Sequence, residues 1–528
     1  MISTKIRDCL FFMISFALIF NNIPKAIQLN FIGGAMATQL ALYPLIAGLI
    51  YTLYCEKKYG NIFVEKKIFT CFSFIYLSIM LVSMILGLIQ YPFYDEILNG
   101  PVTQIQKFSL VTSVLSYLQI QINKDDLVLG LMVIRIIKGL FLSYIWTFGM
   151  AYLVFCWYRN DWEQGFNILL KGILCSLFIV IIYSIFELHY FFGGALGKSF
   201  LEHVNPYVHA IRTEHNWWPP LLWESAQMRS VFPEPSHLGN YLSVVIIALW
   251  LMMLRKKTLM VGIMGYSLFI FIVFLSQART AYAMFLGTTL LIIMGLILGY
   301  RIHYYKVIAT VLGVTVGMFL FSTECINLID NVRYSKQPGT EQNVLQNDKN
   351  SKDSQSTATE VLDKNFSSIF EGNKRSNGAR YALIKAHFRI GMEHPILGTG
   401  TGLNDLYTKN YFNEAEKRNT EVQMWINNQQ KSGVLRYPIG AMNEYLERFS
   451  ANGLVGLLVF LYPFFWLIHR IIKLLRTQVY SEKVIMLFIA IISSLVAWAN
   501  GSLNVYCVVW LLLGLGYAMC WSVKAKNE

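Results

Sequence analysis

Charge is scarce in this chain. Asp, Glu, Lys and Arg make up 14% of its 528 residues, against roughly 25% in soluble domains. So little charge over such a length excludes an ordinary water-soluble domain and makes a bilayer the main solvent. Acidic residues are scarcer than basic ones, 31 against 44, giving a net charge of +13. That surplus does not form a nucleic-acid-binding face, because the lysines and arginines fall in short clusters between apolar runs, where they carry topology. Eight cysteines are present without a Cys-x-x-Cys or Cys/His cluster, and all but Cys325 lie in apolar runs or at their ends. A disulfide framework and a structural zinc site are thereby excluded. No internal repeat of fixed period appears. No small-residue cleavage site follows the basic start and apolar run of Met1–Asn22, so this segment reads as an uncleaved first helix.

Hydrophobic residues are abundant, at 55%, with 15% aromatics and a mean hydropathy of +0.46. A crossing helix needs about 20 apolar residues. Spans are predicted near 8–21, 36–54, 68–90, 135–157, 166–189, 237–254, 258–275, 280–299, 307–323, 452–468, 484–500 and 503–521. The chain therefore reads as an all-α polytopic membrane protein of about twelve transmembrane helices. The clusters Lys5/Arg7, Lys57/Lys58/Lys66/Lys67, Arg159, Arg255/Lys256/Lys257, Arg301/Lys306, Arg470/Lys473/Arg476 and Lys524/Lys526 recur at every second boundary. The positive-inside rule then puts both termini in the cytoplasm. Long external connections follow near 91–134, 190–236 and 324–451. The expected organisation is a membrane domain over 1–323, a large external loop over 324–451, and C-terminal helices over 452–528. Within the large loop, 335–378 is polar and nearly free of aromatics and is expected to be poorly ordered; from Arg380 onward, helical spacing returns.

Four segments carry candidate chemistry. MRSVFPEPSHLGNYLS places Arg229, Glu234, His237 and Asn240 at a membrane surface, with Pro233 and Pro235 holding the backbone extended or turned and Ser236 able to cap the next helix. The bland alternative is a plain loop-to-helix junction, and the upstream Trp217, Trp218 and Trp223 suit an interfacial belt or a sugar-stacking platform. SQARTAY places Arg279 on the external side, against the positive-inside pattern, which suits either function or snorkelling to headgroups. The segment from Arg380 to Gly402 pairs Arg380 with Gly391 and Arg389 with Gly400, ten residues between each, and ends in HPILGTGTG. Its glycines are a weak phosphate signal, with no preceding strand, and His394 suits a structural bond before Pro395 or catalysis. AMNEYLERF offers Asn443, Glu444, Glu447 and Arg448; Glu444 and Arg448 stand four apart, as a helix-face ion pair would. Arg135, Lys138 and Glu187 are the main charges inside predicted spans, serving structure or ligand equally.

The order RSVFPEPSHLGNYL, SQARTAY, a long external loop ending in RYALIKAHFRIGMEHPILGTGTG, then NEYLERFSANGLVGLL resembles the O-antigen polymerase and ligase superfamily over roughly residues 225–470. The resemblance implies a GT-C-like, metal-independent inverting glycosyltransferase without cofactor. Its substrates would be undecaprenyl-pyrophosphate-linked glycans, as donor and acceptor, at the periplasmic face of the bacterial inner membrane. Membrane lipid, a chain-length regulator and a flippase are the implied partners, with no nucleic acid. Ligases typically carry a histidine before the asparagine of the last motif; here Met442 precedes Asn443, which favours a polymerase. Arg229, Arg279 and Arg380, with Arg389, would hold the departing pyrophosphate by charge-assisted bonds. Glu234 is the first choice of general base, with Glu444 and His237 behind it. Asn240, His394 and Asn443 complete the expected substrate contacts. The external loops show no paired-carboxylate cluster for a metal. Other readings are a ligase or O-oligosaccharyltransferase of the same superfamily, a lipid-linked glycan flippase, or a structural scaffold; only the last needs no external arginines.

Overall fold

The computed structural model describes residues 3–28, 35–60, 63, 66–105, 107–210, 226–298, 304–335, 375–476, 482–501 and 507–527. Among them there is no strand. The first half contains α1 (Thr4–Ala17), α2 (Leu42–Tyr59), α3 (Lys66–Gln90), α4 (Tyr94–Leu98), α5 (Phe108–Tyr117), α6 (Lys124–Tyr144), α7 (Met150–Tyr158), α8 (Trp162–Phe191) and α9 (Ala195–Val208). The second half contains α10 (Pro235–Met253), α11 (Leu259–Leu275), α12 (Arg279–Leu298), α13 (Tyr305–Ser335), α14 (Arg375–Glu393), α15 (Asn404–Tyr407), α16 (Glu414–Lys417), α17 (Thr420–Ser432), α18 (Glu444–Arg476), α19 (Glu482–Ala497) and α20 (Val508–Asn527).

A helix stands at each of the twelve predicted spans. Among the described residues, eight stretches are long and apolar enough to cross a membrane, and α11 and Val508–Val523 are shorter apolar helices. One of the eight, Lys124–Tyr158, joins α6 and α7 through a π-helical turn at Ile145–Gly149. The protein is an all-α polytopic membrane protein. Helices suit this environment because every backbone group is bonded within its own segment. The most enclosed span is α10, with 83% of its apolar window buried; it packs among α8, α11, α12 and α19. A second aromatic centre joins Phe148, Phe460, Phe464, Trp498 and Trp510, with ring centroids 4.8–5.9 Å apart.

Residues 375–443 build a small unit with its own core of Ala379, Ala382, Leu383, Ala386, Phe412, Val422, Trp425 and Ile439. It rests on the segment after α3: Lys409 pairs with Glu96 at 3.3 Å, and the Leu435 amide donates to Gln104. The Arg135 guanidinium donates to the Leu435 carbonyl. The unit is fixed to the spans by a break in α18. Gly453 has φ +64°, and a Cβ there would stand 2.2 Å from the Ile396 carbonyl oxygen. At the break, the amides of Leu454 and Val455 donate to the Pro395 and Ile396 carbonyls instead, so these two donors keep acceptors where the helix supplies none. Of the stretch 335–378, residues 336–374 lie outside the described residues, as do Trp217, Trp218 and Trp223. Its last four residues form the first turn of α14.

Candidate active site

Two helix starts are pressed together because Gly239 has no side chain. A Cβ at Gly239 would lie 2.8 Å from the Ala281 nitrogen and 3.0 Å from the Thr280 carbonyl carbon. The first turns of α10 and α12 therefore touch backbone to backbone. That contact brings the start of α10, with Glu234 as its N-cap and His237 in its first turn, against the start of α12, which opens with Arg279 and Thr280. Ser236 does not cap α10. Pro235, whose fixed φ suits the first helical position, starts the helix two residues earlier with Glu234 as its N-cap, and the Ser236 hydroxyl donates to the Glu234 carboxylate at 3.0 Å.

The third wall is the first turn of α14. Arg279 donates to the Asn377 side-chain oxygen at 2.6 Å. Arg380, three residues on and so on the same helix face, donates to the Asn500 side-chain oxygen at 2.8 Å. The Asn500 amide in turn donates to the Thr280 hydroxyl at 2.7 Å. Arg380–Asn500–Thr280 is thus a continuous chain ending next to Arg279. Among the described residues, no carboxylate lies within ion-pair distance of Arg380, so its charge is held in place by a neutral amide. His237 lies within electrostatic range of both Glu234 and Arg380. Its Nδ1 faces the Asn21 amide at 3.5 Å, beside a cavity of about 20 Å³, room for one water. Asn240 is 2% exposed and lies against Gly501, the neighbour of Asn500. Asn443 starts α18 by accepting from the Leu446 amide and donates to the Ala499 carbonyl at 2.9 Å, which steadies the Asn500 turn.

Arg279, Arg380, Asn240 and Asn443 therefore gather at the Asn500–Gly501 turn, and His237, with Glu234, joins them through its electrostatic range to Arg380. Four other expected site residues do not. Arg229 is 1% exposed and donates to the Phe232 carbonyl at 2.7 Å, with its Nε 3.9 Å from Glu187. Burial pulls the Arg229 guanidinium below its usual pKa, opposed by Tyr183 and Glu187. The Glu187 carboxylate also accepts from the amides of Arg229 and Ser230, holding Ser230 at φ +54°. Arg229 thus locks the 226–234 loop from behind. Arg389 stands nine residues after Arg380, or 2.5 turns at 3.6 residues per turn, so it faces the opposite way. It forms a two-pronged ion pair with Glu416 at 2.7 and 2.8 Å, which raises its pKa. His394 packs edge-on to Tyr407, with centroids 6.0 Å apart. Glu444 is 0% exposed and pairs with Arg448 at 2.6 Å, the four-residue helix-face pair.

The glycine-rich turn is no phosphate cradle. The amides of Thr399 and Gly400 donate to the Ser450 and Ala451 carbonyls, and the Ser83 hydroxyl reaches the Leu397 and Ala451 carbonyls at 2.6 and 2.8 Å. These glycines dock chain against chain. The expectation of no paired carboxylates in the external loops also needs correcting. Asp405 and Glu447 meet beside His387, with potential ligand atoms within 4.8 Å of one another. The Asn404 amide bridges both carboxylates at 3.0 and 2.9 Å. Burial and the Glu447 charge push the Asp405 carboxyl well above its usual range, opposed by Arg448 and Arg135. The guanidiniums of Arg448 and Arg135 lie near enough to offset part of this pair's charge. Burial lowers the His387 imidazole to about 4, and both its ring nitrogens meet hydroxyls, Ser450 at 3.0 Å and Thr408 at 3.2 Å.

Residues 242–461 match the O-antigen ligase family model. The matched stretch runs from α10 into α18 and holds both Arg279 and Arg380. It begins after Glu234, His237 and Asn240 and ends before Asn500, so the similarity to O-antigen ligases covers both arginines of the site and under half of the chain. No curated protein matches the chain.

Proposed function

We propose that this protein is a glycosyltransferase of the O-antigen polymerase and ligase superfamily. In this reading it joins undecaprenyl-pyrophosphate-linked oligosaccharide repeats at the periplasmic face of the bacterial inner membrane, with both termini in the cytoplasm. The observation that carries the reading is the Arg380–Asn500–Thr280 chain ending beside Arg279. Two guanidiniums from different helices reach the same place, Arg279 donating to Asn377 and Arg380 to Asn500.

The acceptor hydroxyl attacks the anomeric carbon of the donor from the face opposite the carrier. The new glycosidic bond forms as the anomeric C–O bond to the pyrophosphate breaks, and that electron pair leaves with the pyrophosphate oxygen. Arg279 and Arg380 hold the developing negative charge by charge-assisted hydrogen bonds, which strengthen as the bond breaks. The first turn of α12 adds its amide dipoles. The hydroxyl proton passes to Glu234, whose partner Ser236 orients the carboxylate, with His237 in range to stabilise the charge. Arg229, Asn500 and Asn443 act as positioning residues.

The test is glycan laddering in cells. Arg279→Ala and Arg380→Ala each remove one charge-stabilising contact, a loss of about 10²–10³ in rate, so the ladder collapses to single repeats. Normal long chains at equal protein level remove that residue from the scheme. An O-antigen ligase is the second reading, favoured by the family description and opposed by Met442 at the position before Asn443. Deletion separates the two: a polymerase defect accumulates single-repeat glycans, whereas a ligase defect leaves lipid A core undecorated beside intact lipid-linked polymer. A flippase would place its site near mid-membrane; these residues open helices instead.

A further inference from the structure

The C-terminal end of α14 borders a hollow of about 600 Å³, walled chiefly by Phe93, Arg389, Glu393, Asn410, Tyr411 and Asn413. We propose that this hollow binds a saccharide stretch of the glycan, remote from the reacting bond. The inference rests on the glycosyl-transfer reading and adds a second substrate contact to it.

Three features specify the occupant. First, the lining is mixed: Phe93 and Tyr411 offer ring surface, while Glu393 and two asparagine amides offer acceptors and donors. A pyranose presents the same combination, an apolar C–H face ringed by hydroxyls that donate and accept. Second, a phosphate is disfavoured. The one arginine at the hollow is already neutralised by both oxygens of Glu416, and Glu393 adds negative charge. Third, the walls are fixed in advance. Arg389 also donates to the Tyr411 carbonyl, the Tyr411 hydroxyl donates to Glu393, Asn410 donates to Glu96, and Asn413 forms a reciprocal capping box with Glu416. A preorganised wall loses little freedom on binding.

Position gives the hollow its role. Arg380 and Arg389 mark the two ends, nine residues apart, or about 14 Å at 1.5 Å per residue. Because they face opposite ways, a glycan anchored at the arginine pair must wrap around α14 to reach the hollow. Such a contact retains a growing chain between additions, so weakening it shortens the product without stopping linkage.

The test uses the full-length protein in detergent micelles. The probe is lipid-free oligosaccharide released by mild acid from the producing cell's own surface polysaccharide, with binding followed by ligand-observed NMR and calorimetry. Glu393→Gln, Asn410→Ala and Phe93→Ala should each weaken binding by about tenfold or more, the worth of one good hydrogen bond or ring contact. Arg380→Ala should leave this binding within about twofold. In cells the three variants should shift the ladder to shorter chains. Glu393→Gln is isosteric at an exposed position, so it keeps the test valid where Phe93→Ala lowers the protein level. Unchanged probe binding by Glu393→Gln and Asn410→Ala overturns the inference, while loss of the ladder in Arg380→Ala still upholds the transfer reading. Normal ladders in both Arg279→Ala and Arg380→Ala sink the transfer reading, and probe binding then judges the hollow on its own.

Discussion

Gly239→Ala adds one methyl where two backbones already touch. Its Cβ would stand 2.8 Å from the Ala281 nitrogen and 3.0 Å from the Ala281 Cα, whereas ordinary contact begins at 3.4 Å. Every obstructing atom is main chain, so no side chain can swing aside. The start of α12 must retreat by at least 3.4 − 2.8 = 0.6 Å. Such overpacking costs about 1–3 kcal/mol, opposed by about 1 kcal/mol gained when alanine replaces glycine in a helix. Stability therefore falls little, but Thr280 moves away from Asn500, now 2.7 Å distant, and carries Arg279 with it. Misplacement of about 1 Å at a reacting centre costs about 10²-fold, so activity should fall far more than protein level. Gly287→Ala, inside α12 with nothing within 4 Å of its Cβ, is the control and should keep full activity. The assay is the glycan ladder at matched expression, alongside thermal unfolding in detergent. Parental ladders from Gly239→Ala would refute the claim that the α10–α12 contact sets the arginine geometry.

Further outcomes are expected elsewhere in the molecule. Glu187→Gln or Arg229→Ala leaves one member of a buried pair unmatched, a loss of about 3–5 kcal/mol. Both should lower folded protein, read by fluorescence-detected gel filtration, and the double variant Glu187→Gln with Arg229→Met should recover part of it; equal levels in all three would contradict a locking role. Burial of His387 lowers its pKa from 6.5 to about 4, so the unfolded chain takes up that proton more readily. Its contribution to stability is complete above pH 6.5 and is lost as pH falls toward 4, by about 3 kcal/mol (2.5 pH units at 1.36 kcal/mol each). Asp405, with a raised pKa, works in the opposite sense, so the effect is read as the difference between parent and His387→Gln. A difference that stays flat from pH 7 to 4 contradicts it. Gly453→Ala meets the Ile396 carbonyl at 2.2 Å in a left-handed conformation and should destabilise by more than about 2 kcal/mol; a melting temperature matching the parent would show that the break in α18 tolerates a side chain.

The spans were legible because each is a local signal, an apolar run of fixed length with basic flanks. Arg279 stood out for a related reason: it violates the charge pattern around it. Asn500 carried no such mark, being a neutral amide at the end of an apolar run, yet it joins Arg380 to Thr280. Long-range pairings were equally silent. Glu187 meets the Arg229 backbone across 42 positions, and nothing near either residue announces the other. The same holds for Asp405 and Glu447, which meet only after α15 packs on α18. The glycine-rich turn misled because glycine serves close backbone docking as readily as anion binding, and the sequence does not say whose carbonyl its amides meet. Arg389 shows the value of counting: half a turn out of phase with Arg380, it was never able to join it.

At Gly453 the membrane helix borrows two acceptors from the chain that follows α14. The external unit is therefore not hung on a hinge but spliced into the bundle, sharing main-chain hydrogen bonds with it. Pro395 and Ile396 follow α14 directly, so the end of α14 that borders the hollow and the helix α18, whose start steadies the Asn500 turn, are stitched into one piece.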